Sequence, residues 1–404
     1  MAIQGLRDTS NFVADQRPQN WRQAIMLLYP NGKAPLTALT NLMPSEATDD
    51  PQYNWWEKAM PDQRLEFTAD HTDSITTITV ASGALQLRAG HILRVEQTTE
   101  LMMVAVDPVS DTSFSVVRGF AGTSAAAIDY NGASKNPYTH VVGNANEEGS
   151  LPPTGINYDP TKKYNFTQIF RNTLEMTRTA KKTRLRTGDQ VKEARRECLE
   201  LHSIEMEKAF WFGRRYEGTL QGKPIRTTGG FLSWIDSGNI VAQAGTAVKM
   251  TDLEGWLERI FRVGSSEKMG YCGNLAMLAV NQAVRKNSHV TITPGIKEYG
   301  MNVSRLTSPW GEVVLKTHPL FNQLLGGTNA GGGGTYFGMN SSLVIMDQAE
   351  LKYRYIDDTK YEKDLQAVGM DGMKAGYLTE AGIEVHHPTS HFWITGMTSG
   401  AVDS

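Results

Sequence analysis

Residues 187–215, TGDQVKEARRECLELHSIEMEKAFWFGRR, constrain this chain more than any other stretch. Val191, Ala194, Cys198 and Leu201 recur at 3-4-3 spacing, Ile204 and Trp211 continue the series, and charges fill the other faces. That is the pattern of an amphipathic helix. Thr187 or Asp189 can cap its start and Gly213 can end it, because a short polar side chain satisfies the first free N–H groups and glycine suits the last turn. A helix over about 188 to 213 is a rod of roughly 40 Å at about 1.5 Å per residue. Any fold of this chain must accommodate that rod.

The flanking textures differ from it. The first sixty residues do not read as a domain: one short helix fits residues 20–28, and Pro30, Pro35, Pro44 and Pro51 then break the chain. Proline at that density prevents long helices and central strands. An extended arm with hydrophobic anchors at Leu36, Leu39, Leu42, Trp55 and Trp56 is expected, lying on its own body or on a neighbour. Residues 73–125 carry short β-favouring runs (SITTITV, HILRVEQ, ELMMVAV, TSFSVVRG) separated by turn chemistry. Alternation at Ile78/Val80, Leu93/Val95, Met102/Val104/Val106 and Phe114/Val116 predicts an antiparallel meander with one buried face.

Beyond the long helix, TDLEGWLERIFRVG opens on a capping box, Thr251 with Glu254, and sets Leu253, Trp256, Leu257, Ile260 and Phe261 on one face. A second helix is capped by Asn274, the strand GEVVLKTHP follows, and a glycine tract, LGGTNAGGGGTYFG, precedes four short β-runs. Helices and strands mix without βαβ rhythm, so the class is α+β. The chain of 404 residues has room for two or three domains. A net charge of -3 excludes a polycation, and the two cysteines, Cys198 and Cys272, form neither a disulfide framework nor a CxxC pair, which suits a reducing cytoplasm. No signal-peptide pattern begins the sequence, and no run reaches the ~18 apolar residues of a membrane span.

Candidate chemistry is sparse. Residues 116–127, VVRGFAGTSAAA, suggest a phosphate loop after a strand, but the lysine and the spacing of GxxxxGK[ST] are missing there and in the glycine tract. A corner is expected instead, with Gly119 and Gly122 turning the chain and Gly122 intolerant of a bulky side chain. His386, His387 and His391 are the nearest approach to a metal cluster, yet neighbours on a strand point to opposite faces and no carboxylate or cysteine sits close in sequence. No nucleophile motif surrounds either cysteine. Lys181, Lys182, Arg184 and Arg186 form a basic run suited to phosphate backbones or to a solvated face. No catalytic, cofactor-binding or metal-binding residue is assigned.

The order of these segments resembles the major capsid proteins of tailed bacteriophages, the fold named for phage Hong Kong 97. The resemblance rests on the arm with APLTALTNLMP, on YNWWEKAM, and on a β-rich insertion ending in FAGTSAAA. It continues through KKYNFTQIFRNTLEMTRTA into the long helix, then RTTGGFLSWI and the closing GYLTEAGIEVHHPTSHFWITGM. It implies an α+β chain with an N-terminal arm at 1–50 and an extended loop at 51–140 holding the β-insertion at about 73–125. It further implies a peripheral domain with its spine helix at 141–225, an axial domain at 226–335, and a return to the peripheral domain at 336–404. The implied function is assembly: hexamers and pentamers of an icosahedral shell around double-stranded DNA, without cofactor, metal, membrane or enzymatic step. Implied partners are further copies of the chain, scaffolding, portal and decoration proteins, and DNA by nonspecific contact. The implied location is the virion, with assembly in the host cytoplasm. The arm begins almost at Met1, which implies a separate scaffold or none, and no cross-linking lysine or asparagine aligns. An encapsulin-like compartment shell, a tail or baseplate component and a metal-dependent hydrolase are the competing readings.

Overall fold

The computed structural model describes residues 43–58, 63–130, 137–183, 189–243, 245–285, 292–298, 301–323, 327–328, 335–336 and 338–398. The expected helix at 20–28, the arm up to Leu42, Arg184, Arg186 and most of the glycine tract lie outside the described residues. The chain divides into two compact units, one of Trp56–Lys162 and one of everything else.

In chain order the first strands are β1 (Ser45–Ala47) and β2 (Gln52–Glu57). The smaller unit then contributes β3 (Arg64–Glu66), β4 (Thr77–Thr79), β5 (His91–Val95), β6 (Leu101–Val104), β7 (Ser113–Val117) and β8 (Tyr138–Asn144). They pair in the order β3-β8-β5-β6-β7-β4, each contact antiparallel. Phe67 bridges Val80, and the Ala81 N–H donates to the Glu66 carbonyl at 2.9 Å, so the last strand meets the first. The meander is thus a closed six-stranded barrel, which removes the free edges an open sheet would expose. The predicted alternation supplies its core: Ile78, Val80, Leu93, Val95, Met102, Val104, Phe114 and Val116 are all buried, joined by Leu65, Phe67 and Ile128. Val106 departs from the pattern and is exposed, lying just past the end of β6.

The larger unit holds β9 (Thr161–Phe166), β10 (Gln168–Thr177), α1 (Arg178–Lys182) and the long helix α2 (Gln190–Phe212). There follow β11 (Tyr216–Leu220), β12 (Lys223–Thr227), β13 (Ile240–Ala242), α3 (Met250–Ile260), β14 (Glu267–Cys272) and α4 (Asn274–Arg285). Next come β15 (Ile292–Glu298), β16 (Met301–Ser308), β17 (Gly311–Thr317), α5 (Pro319–Gln323), β18 (Gly327–Thr328) and β19 (Thr335–Tyr336). The last strands are β20 (Leu343–Met346), β21 (Leu351–Glu362), β22 (Gly372–Val385) and β23 (Phe392–Thr395). Two sheets dominate, β1-β21-β22-β10 and the seven-stranded β13-β23-β20-β14-β17-β16-β15. Strands from residues 267–317 and from 343–395 thus share one sheet, so the C-terminal strands complete the layer begun before the glycine tract.

Period-two alternation assigns the faces of that sheet. Cys272, Val313, Leu315, Leu343, Ile345 and Ile394 pack against α3 and α4, whereas Met269, Tyr271, Val314, Val344 and Met346 join the core around the end of α2. The helix itself begins where expected, with the Asp189 carboxylate accepting the Val191 N–H at 3.0 Å. Its buried face is rotated from the predicted stripe. Leu201 is exposed, and the buried row is Cys198, His202, Met206 and Phe210 with Glu207 and Trp211 beside it. His202 passes as an inward residue because Nδ1 meets Asn172 Oδ1 and Nε2 meets Thr379 Oγ1, each at 2.7 Å. Two caps are also corrected. α3 starts one residue before Thr251, with Asp252 accepting the Lys249 N–H at 3.1 Å, and Asn274 is capped by Asn322, whose oxygen accepts the Asn274 N–H at 2.7 Å.

The C-terminal end of α2 is a backbone-to-backbone contact. A side chain on Gly213 would lie 2.4 Å from the Ala209 carbonyl, and one on Gly230 would lie 2.5 Å from the Gly213 nitrogen. Gly230 donates to the Gly213 carbonyl at 2.8 Å across this gap. Asn165, fully buried, secures the corner by donating to the carbonyls of Ile383 (2.8 Å) and Gly229 (3.1 Å) and accepting the N–H groups of Gly229 and Phe166. Replacing Gly230 by alanine forces these backbones apart, and a loss of about 2–3 kcal/mol is expected from overpacking. Urea denaturation of the variant measures it, and a wild-type midpoint with an unchanged slope would contradict the close approach.

Candidate functional site

Residues 116–127 form the first candidate, and the turn is as sharp as its glycines suggest. Gly119, Ala121 and Gly122 all have positive φ. The N–H groups of this corner are already satisfied by the protein's own carboxylate. Glu100, whose side chain is completely buried, accepts the Gly119 N–H at 2.9 Å and the Ala126 N–H at 3.1 Å. Arg118 grips the same carboxylate twice, at 2.8 Å each, and its remaining N–H groups reach the carbonyls of Thr72, Ile75 and Ala126. Burial opposes ionisation of Glu100, but the Arg118 hydrogen bonds and the two backbone donors outweigh it, so its pKa lies below the ordinary carboxylate value. An arrangement that resembles an anion cradle is an internal ion pair. The tighter glycine is Gly119, where a side chain would meet the Thr123 carbonyl at 2.8 Å. Around Gly122 the space is open, so a substitution there carries only the left-handed strain of about 1–2 kcal/mol.

The histidines separate. His386 hydrogen-bonds Glu384 at 2.5 Å, and Glu384 also pairs with Arg354, which reaches Glu46 of β1 at 2.9 Å. This chain of charges fastens β1 to the parallel strand β21. Burial works against the Glu384 carboxylate, and the His386 and Arg354 contacts overcome it, holding its pKa low. His391 points elsewhere, fully buried, with Nδ1 accepting the Asp347 N–H at 3.2 Å and Nε2 within 3.1 Å of the His386 carbonyl. An acceptor Nδ1 and a donor Nε2 describe a neutral ring, and burial pushes its pKa down to about 4.

Beside it lies Lys268, a buried lysine that sequence reasoning missed. Its ammonium donates to the carbonyls of Ile260 (2.8 Å), Val263 (2.7 Å) and Ser390 (2.7 Å). Two of those acceptors lie in the last residue of α3 and the turn after it, where unpaired carbonyls and the helix dipole favour a cation. Burial lowers its pKa to about 8, so it remains protonated at neutral pH. A second missed pair is Glu207 with His318, both wholly buried and 2.6 Å apart at the end of α2. His318 Nδ1 accepts the Leu320 N–H, leaving Nε2 to face the carboxylate. The only available signal was two polar residues inside otherwise apolar helix and strand ends.

Among the described residues, no three His, Cys, Asp or Glu side chains gather as a metal site, and no helix is long and apolar enough to cross a membrane. Cys198 and Cys272 are buried, with burial raising both thiols, Cys272 to about 12. Of the tryptophan pair, Trp55 is buried against Tyr53, Trp234 and His386, while Trp56 is exposed. Lys181 and Lys182 are exposed on α1. Asn165, first residue of an Asn-x-Thr triplet, is spoken for by the corner described above.

Among the described residues, the buried charges named above are met from within the chain: Glu100 by Arg118 and N–H groups, Glu384 by Arg354 and His386, and Lys268 by carbonyls. The SU10 major capsid protein model matches residues 7–398. A major capsid protein of Pseudomonas phage PaMx41 is 28% identical over 383 residues, covering 92% of this chain and 87% of its own. Among solved structures, the capsid of a native GTA particle aligns over 97% of this chain and 98% of its own at 8% identity, TM-score 0.45. The capsid of Cyanophage P-SCSP1u aligns over 63% and 80% at 12% identity, TM-score 0.41. An encapsulin complex of Synechococcus elongatus aligns over 59% and 78% at 11% identity, TM-score 0.43.

The chain belongs to the SU10 major capsid protein family. The expected α+β class and the expected identity as a phage capsid protein, a component of the virion, both stand.

Two outcomes test the buried groups. Glu100→Gln leaves the Arg118 guanidinium buried without its counter-charge, and about 3–5 kcal/mol of stability should be lost from the Trp56–Lys162 unit. Limited proteolysis and thermal melting of the full chain read this out, and wild-type protection of residues 56–162 would refute the internal pairing. His391 supplies an acid response. Its unfolded form binds a proton near pH 6.5 and its folded form only near pH 4, so the unfolded state protonates first and stability falls as pH drops through that window. At about 1.4 kcal/mol per pKa unit the contribution approaches roughly 3 kcal/mol. His391→Gln should flatten the stability–pH slope between 6.5 and 4, and an identical slope in urea titrations would exclude it.

Proposed function

We propose that this chain assembles with copies of itself into the hexamers and pentamers of an icosahedral shell around double-stranded DNA, by packing and not by catalysis. The carrying observation is the family match, which runs along nearly the whole chain, barrel included. In this reading residues 1–50 are the N-terminal arm and 51–140 an extended loop whose insertion is the barrel. Residues 141–225 carry the spine helix α2, 226–335 the axial domain, and 336–404 the closing part of the peripheral domain, the Hong Kong 97 arrangement. The layering supports it in physical terms. A rod packed on sheet along one face, with Phe210 edge-on to Phe170 and Trp211 edge-on to Tyr271, is a stiff member suited to bearing load between contacts. Further partners are scaffolding, portal and decoration proteins. Contact with DNA is nonspecific, since a net charge of -3 offers few phosphate ligands overall. No cofactor, metal or membrane takes part, and assembly takes place in the host cytoplasm.

Expression of the full chain followed by negative-stain microscopy and light scattering tests this. Closed shells, or hexameric plates where a scaffold is required, are the expected result. A clean monomer at high concentration would overturn it.

A further inference from the structure

The hairpin β11–β12 belongs to neither large sheet and pairs only with itself. Its two-residue turn, Gln221 and Gly222, has both residues at positive φ, the geometry that closes a twisted two-stranded ribbon. Such a ribbon is marginal in water unless a third strand or another layer covers it. Opposed residues share a face, and the register sets Tyr216, Gly218 and Leu220 beside Thr227, Ile225 and Lys223. The other face has Glu217 paired with Arg226, and Thr219 beside Pro224. One face is therefore apolar and the other polar, the alternation of a half-buried hairpin. The apolar face is nevertheless open: Tyr216 is 58% exposed, Leu220 61% and Ile225 39%.

Docking by strand addition is disfavoured at the β12 edge. In a two-residue hairpin the pair next to the turn is hydrogen-bonded inward, so the next residue, Pro224, is the one whose nitrogen faces outward, and it has no N–H to give. The partner must cover the face. Residues 214–227 carry Arg214, Arg215, Lys223 and Arg226 against a single acid, Glu217. Two such hairpins facing each other would repel. The Trp56–Lys162 unit that contains the barrel has the complementary sign, with thirteen acidic and seven basic residues in its sequence, and it presents exposed Val106, Val109 and Val142.

We infer that the apolar face of the Tyr216–Thr227 hairpin docks onto the acidic barrel of a second copy of this chain, an inference that rests on the shell-forming reading above. Tyr216, Leu220 and Ile225 supply the apolar seat, and Lys223 and Arg214 supply charge complementarity that orients the approach.

The test uses the full chain. Leu220→Ser with Ile225→Ser should leave the thermal midpoint of the unassembled subunit unchanged, since both side chains are exposed, and should lower shell yield at least tenfold. Lys223→Glu should lower yield further at low salt than at high salt. A photo-crosslinking residue at position 216, in shells assembled from a mixture of isotopically light and heavy subunits, should give mixed-label crosslinks into residues 56–162. Wild-type yield of the double variant, crosslinks confined to one chain, or crosslinks to another region would each overturn the inference. A wild-type chain that stays a clean monomer at high concentration, forming neither shells nor hexameric plates, is a different result, which removes the functional reading itself.

Discussion

The corner at Asn165 governs how the larger unit holds together. A long helix ends, and its last turn must meet the Thr228–Gly230 segment without a side chain between them. Gly213 and Gly230 allow two backbones within hydrogen-bond distance, and Asn165 uses all of its polar capacity to tie that contact to β22 and β9. Tyr53 adds a bond from β2 to the same Ile383 carbonyl at 2.7 Å. Strands β2, β9 and β22 and the segment at Gly229 thus meet around the Asn165 amide and the Ile383 carbonyl. Because each bond is buried, removing the amide would strand several donors and acceptors at once, which costs far more than a single surface bond. The sites of Trp211, His318 and Phe321 follow from this corner, since Trp211 is fixed two residues before Gly213 and packs edge-on against both rings.

What could be read from the residues divides along the line between local and non-local physics. The barrel strands and their inward residues were legible because alternation is a local property, and turns such as DPVSD separate them. The ends of α2 were legible for the same reason. Closure of the barrel was not, because Phe67 meeting Val80 depends on six strands curling together. Leu201 misled because a helix in this protein does not need every apolar residue inside. The sheet beneath it offers hydroxyl and amide partners, so His202 enters and Leu201 faces outward. Lys268 and Glu207 could not be found by pattern, since their partners are backbone carbonyls and a histidine from other elements.

The loop at residues 116–127 shows how far motif chemistry can mislead. Glycines after a strand create a cluster of inward N–H groups whatever fills it. In a nucleotide-binding protein a phosphate fills it; here the carboxylate of Glu100 does, from the strand's own neighbour. The discriminating feature is the arginine. Arg118 neutralises the carboxylate from within the same corner and caps three further carbonyls, leaving no charge for a ligand to satisfy.

A closed interior shifts the burden of function to the surface. In an enzyme, unsatisfied or strained polar groups converge in a cleft; in this subunit the buried charges of Glu100, Glu384 and Lys268 are met from within the chain, and apolar side chains stand exposed at the surface. The open face of the β11–β12 hairpin and Trp56 belong to that outward set. Individually such patches are too small for tight association, for a stable interface generally needs about 1,000 Å² or more. Shell assembly does not ask for tightness at one site. When each subunit is held by several neighbours, contacts become intramolecular in effect and their free energies combine, so weak individual contacts give a stable particle while still permitting misplaced subunits to leave. Buried charges such as Glu100, Glu384 and Lys268 that are met within the chain, joined to a surface that leaves modest apolar faces open, make the physical division of labour such a subunit requires.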